Sequence, residues 1–303
     1  MTSVSPAATA PILMRWGIRA RFFAAAAGAW AVLYFLADRL ILARPRQAPV
    51  LLCLSDAGIG AGLLAGAIIV AAAAVAWLIA GGKDGKRSFI ALGVALAVWM
   101  APAGVMDDWL VRQYPSSGPP SATPYLKLLL EYAWLAVLLG VVAYFLARQT
   151  ASKDAVGVRR LGPLFAVDRP AAELRDGAVA LLATSAIAAA FILVLTGPRI
   201  AATHRGQVIF AVGVAFWFAP TLAMRFSSAR DPVWFWPAPL LVGVAGCVLA
   251  ALRPALPGEY ANINHIPAWG LVRPLPIEMA SVGLIATLGA LRARLALRGT
   301  SAA

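Results

Sequence analysis

Four side chains in this sequence have the types and spacing to do chemistry together. Glu131 is the acidic residue that falls well inside an apolar run, and Lys127 stands four positions before it, on the same face of a helix. Asp107 and Asp108 close an earlier apolar run that ends on the same predicted side. Ionisable groups kept within a membrane are expensive and tend to mark a site or a pathway. Two readings follow. Lys127 and Glu131 form a local pair near the outer interface, or Glu131 joins Asp107 and Asp108 in an outward-facing acidic vestibule for a cation or a polar headgroup.

Other chemistries lack their residues. His204 and His265 both lie in predicted loops, so no paired histidines can hold a haem between helices and none can act as base for an intramembrane serine. There is no H-E-x-x-H and no phosphate-cradling G-x-x-x-x-G-K-[ST]. Gly60-Ala61-Gly62-Leu63-Leu64-Ala65 fits G-x-G-x-x-A by letter, but no strand precedes it, so it reads as a smooth helix face. Gly62 and Gly66 on that face form a G-x-x-x-G pair suited to close helix contact. Cys53 and Cys247 without a neighbouring histidine make no zinc site. No cofactor and no metal are expected.

The elements that position these residues follow from composition. The chain has 303 residues, 61% hydrophobic and 13% charged, against about a quarter charged in soluble domains. That excludes a soluble enzyme, a disordered chain and a disulfide scaffold. Apolar runs predict spans at about 22–42, 57–81, 88–106, 125–147, 177–197, 206–224, 233–252 and 276–297. Each is too long for a strand, and lipid requires every backbone group to be satisfied within its segment. The expected fold is all-α: a single polytopic membrane bundle of about eight helices over residues 1–303.

Charge orients it. With a cytoplasmic N-terminus, 17 of the 26 Lys and Arg residues fall inside and 9 outside. By the positive-inside rule both termini are cytoplasmic. The net charge of +13 then points to anionic lipid at the cytoplasmic face of a bacterial inner membrane, and not to nucleic acid. Other membrane subunits, or a second copy, are further candidate partners. Asp168 before Arg169-Pro170 reads as a helix N-cap, and the proline-rich segment Pro254 to Pro276 as an outer loop.

Ala97-Val98-Trp99-Met100-Ala101-Pro102 is echoed 118 residues later by Ala215-Phe216-Trp217-Phe218-Ala219-Pro220. Such an echo between oppositely running helices is what an inverted repeat would leave. Pro102 and Pro220 are each expected to free a carbonyl and kink a helix. Two functions fit. Sparse intramembrane charge and short loops favour an accessory or scaffold component without catalytic machinery. The paired prolines and Glu131 favour a secondary transporter or exporter of a small solute or lipid.

Overall fold

The computed structural model describes residues 12–37, 50–54, 58–82, 84–113, 121–151, 171–196, 204–229, 231–254 and 269–301. These residues hold nine α-helices and no strand: α1 (Ile12–Val32), α2 (Gly58–Ile79), α3 (Gly85–Met100), α4 (Met106–Gln113), α5 (Thr123–Ala151), α6 (Ala171–Leu195), α7 (Arg205–Ala223), α8 (Ala238–Leu252) and α9 (Pro276–Ser301). A π-helical stretch, Leu33–Ala37, continues α1. Seven helical segments are long and apolar enough to cross a membrane, so the chain is a multi-pass membrane protein.

The eighth run, expected over 276–297, forms a full helix, and Pro276–Arg294 is long and apolar enough to span. The shortfall against eight comes from the third run instead. Expected over 88–106, it forms a 16-residue helix, α3, that stops at Met100, and Asp107 and Asp108 belong to the separate eight-residue α4. Pro102 explains this. Ala101 N–H already tightens onto Val98 O at 3.2 Å, and Ala103 N–H bonds Met100 O at 2.9 Å. Between them Pro102 has no N–H to extend the ladder. Pro102 therefore terminates a helix and does not kink one, whereas Pro220 lies inside α7, in its last turn. The two prolines of the echo hold different structural positions.

α9 is the central helix, with 72% of its apolar window buried. It packs between α3 and α7, and α3 is flanked in turn by α1 and α2. α7 lies against α6, and α5 against α8, which also touches α6 and α9. α6 is peripheral, its window only 22% buried, and presents Leu182 and Val194 outward, as a lipid-facing helix should. Where helices approach most closely, glycine makes the room. Gly243 of α8 faces the Tyr132 ring of α5, and a Cβ on Gly93 of α3 would stand 3.0 Å from Leu284 and Ile285 of α9. Asp168, residues 114–120 and His265 lie outside the described residues.

Candidate functional site: cross-helix caps at one face

Glu131 sits two turns into α5 and is 1% exposed. Its carboxylate accepts the backbone N–H groups of Leu52, at 2.5 Å, and Cys53, at 2.8 Å. Residues 50–54 form a non-helical strap whose Val50, Leu51 and Leu52 are buried. Irregular backbone is tolerated at membrane depth only where its polar groups are satisfied within the protein, and Glu131 supplies that satisfaction. Gly62 holds the strap from the other side: a Cβ there would meet Cys53 Cα and Leu52 O at 3.2 Å. Gly66, one turn on, lies under the Trp134 indole, 2.9 Å from where a Cβ would stand. Burial, then the charge of Glu131, pushes the Cys53 thiol up to about 11, so it stays protonated and unreactive.

Lys127 takes another partner. Its Nζ donates to Gln113 Oε1 at 2.8 Å, tying the exposed start of α5 to the end of α4. The expected Lys127–Glu131 pair gives way because one residue points outward and the other is enclosed by the strap.

The two aspartates also separate. Asp108 Oδ2 accepts the N–H of Val105 at 2.8 Å, the reach of an N3 acid back to the residue before its own helix. Asp107 is half-buried beside Arg273. Burial raises its carboxyl to about 6; Arg273 opposes the shift and Asp108 adds to it. Arg273 is 4% exposed, and burial lowers its guanidinium against the attraction of Asp107. Its Nη1 donates to Thr196 O, just past the end of α6, at 2.9 Å.

Charged and polar residues at the starts of α7 and α9 complete the group. Glu278, 2% exposed, is the N3 residue of α9 and accepts Leu275 N–H at 2.9 Å. Its other oxygen pairs with Arg205 Nε at 3.2 Å. Arg205 Nη2 donates to Met100 O at 2.6 Å, and Nη1 to Ala103 O. Arg205 thus closes the carbonyl end of α3, where Pro102 stopped the ladder. Gln207 Nε2 donates to Leu195 O at the end of α6, and Trp269 Nε1 to Arg253 O at the end of α8. The unpaired groups of a helix end must find partners, and here side chains of neighbouring helices supply them.

Among the described residues, no three His, Cys, Asp or Glu side chains gather as metal ligands would. His204 is exposed at the start of α7 and caps nothing with its side chain. Pro276 at N1 and Glu278 at N3 were a signal for this site visible in the sequence. Nothing comparable announced Arg205 or Arg273. No family model, curated protein or solved structure matches this chain.

Proposed function

We propose that this protein is a non-catalytic component of a membrane assembly, an accessory or scaffold subunit of a bacterial cytoplasmic membrane with both termini inside. One observation carries the reading: the buried acids Glu131 and Glu278 are both engaged with the chain's own backbone amides. A transport or catalytic carboxylate must change partners during its cycle. A carboxylate that satisfies buried amides can do so only by exposing them unsatisfied in an apolar setting, at about 1–3 kcal/mol each. Such groups hold a shape. The experiment is extraction in mild detergent after cross-linking in the membrane, followed by identification of what travels with the chain. Defined membrane subunits in fixed ratio are expected. The purified chain moving a solute or a lipid by itself in proteoliposomes would overturn the reading.

A second reading, a secondary transporter or exporter, is favoured by Asp107 and Arg273. Asp107 is half-buried, burial raises its carboxyl to about 6, and Arg273, itself buried, opposes the shift. Flux through proteoliposomes that depends on a pH gradient and is lost in Asp107→Asn would support it.

A further inference from the structure

α7 and α9 are tied to each other twice. At one end Arg205, the first residue of α7, pairs through Nε with Glu278 of α9 at 3.2 Å. At the other end Arg294 Nη1 of α9 donates to Thr221 O of α7 at 2.6 Å. The ties bracket the same length of chain on each helix, 205 to 221 and 278 to 294, about 24 Å at the helical rise. The two helices therefore run parallel and in step. Between the ties they approach closely: a Cβ on Gly289 of α9 would stand 2.9 Å from the Trp217 ring of α7.

The ties differ in kind. Arg205 faces a carboxylate that is 2% exposed and also holds Met100 O at the end of α3. The Arg294 tie ends on a neutral carbonyl, at a half-buried position, one residue past Pro220. Pro220 has no N–H to offer the Phe216 carbonyl, so the helical ladder lacks a rung there. The rungs beyond it are diverted. Arg225 N–H, which would reach Thr221 O in a continuing helix, bonds Leu222 O at 2.9 Å, and Phe226 N–H bonds Ala223 O at 2.9 Å. Thr221 O is thus open to a side-chain donor, and Arg294 supplies one. The turn that follows is tied elsewhere, to α6: Ser227 Oγ donates to Asp176 O at 2.9 Å, and Ser228 Oγ to Asp176 Oδ2.

We infer that the Thr221 end of α7 is a hinged latch, with Pro220 the hinge, Arg294 the catch and the turn over 224–229 the part that swings away from α9. Bending at Pro220 breaks no rung at Phe216, because none is there, so the catch sets the cost of opening. The serine ties keep the turn with α6, which is the peripheral helix. The Arg205 end does not follow, since opening it would separate a buried ion pair. The latch goes beyond the scaffold reading and does not rest on it: it names where the bundle opens, whatever it assembles with.

The test is fragment-resolved hydrogen exchange of the full chain in detergent, read at the hydrogen-bonded amides of Met224, Arg225 and Phe226. In Arg294→Met these amides should exchange about tenfold faster, the lower part of what a hydrogen bond to a charged group contributes. Amides over 208–216 should keep their native rates. Arg294→Lys, which restores a charged donor, should bring most of the protection back. Pro220→Ala returns the missing rung, so it should slow exchange at the three amides and shrink the effect of Arg294→Met. Faster exchange spread evenly along α7 would overturn the inference, by showing that the whole helix loosens without a hinge. Unchanged rates in Arg294→Met would overturn it as well, as would an effect of Arg294→Met that stays at full size in the Pro220→Ala background.

Discussion

Replacing Glu131 by Gln exchanges one acceptor oxygen for a donor amide, so one of the two strap N–H groups at Leu52 and Cys53 meets another donor. A buried amide left unsatisfied costs about 1–3 kcal/mol. Glu131→Gln is therefore expected to lower the unfolding temperature in detergent, and Glu131→Ala, which strands both amides, to lower it further; thermal scanning of the three proteins side by side decides it. A neutral Glu131→Gln would mean that the strap is not held by this residue. Asp107 gives the opposite kind of experiment. Its carboxyl is raised by burial to about 6, above its value in an unfolded chain. The folded state thus binds the proton more tightly, and this contribution to stability is present at low pH and lost as pH rises through about 6. Asp107→Asn should gain stability relative to the native chain on going from pH 5 to pH 8. A difference in melting temperature that stays flat over that range would contradict the assignment. None of these roles was legible from spacing. Lys127 and Glu131 share a face by the i, i+4 rule, but only tertiary packing decides that one meets solvent and the other a buried strap.

At the scale of the element, helix ends carry the information that apolar runs do not. The runs placed the long helices because hydrophobic length is what a bilayer selects. They misplaced the end of α3, since 101–106 remains apolar enough to read through while Pro102 breaks the ladder. They were silent on Arg205 and Arg273, which stand beside loops and look like solvated charges until neighbouring helices close over them. The acids at N3 of α4 and α9 were half visible: the usual capping signature asks for Ser or Thr before the helix, and here Val105 and Leu275 stand there. Arg205 joins α3, α7 and α9 at one point. Removing one member of a buried ion pair costs about 3–5 kcal/mol. Arg205→Ala should accordingly destabilise the bundle severely, and added guanidinium at low millimolar concentration should restore part of the loss by refilling the place between Glu278 and the α3 carbonyls. Lysine at 205 should restore less, because one ammonium cannot match the fork that reaches two carbonyls and a carboxylate. Full stability in Arg205→Ala, measured as the midpoint of thermal aggregation, would show the pair to be dispensable.

For the whole molecule, the two faces differ in kind. One is closed by charged side chains turned onto helix ends. The other presents exposed arginines and lysines at the ends of α1, α3 and α5. On the topology proposed from the count of basic residues, this second face is the cytoplasmic one. Single cysteines in a Cys53→Ser, Cys247→Ser background check it: impermeant maleimide applied to intact cells should label Gln113→Cys and leave Lys86→Cys unlabelled, and the reverse pattern would invert the topology.

The shortness of α3 has a consequence for the depth at which charge lies. Sixteen residues rise about 24 Å, against a hydrocarbon core of about 30 Å. With the Lys86 end held at one interface, the other end of α3 stops several ångströms below the opposite one, and the Arg205–Glu278 pair is drawn down with it. α3 is thus shorter than the helices packed against it, the 22-residue α2 and the 26-residue α9 among them. Most of α3 is covered by its neighbours and not by lipid, so the depth of the Arg205–Glu278 pair is set by helix packing and is insensitive to the length of the surrounding acyl chains.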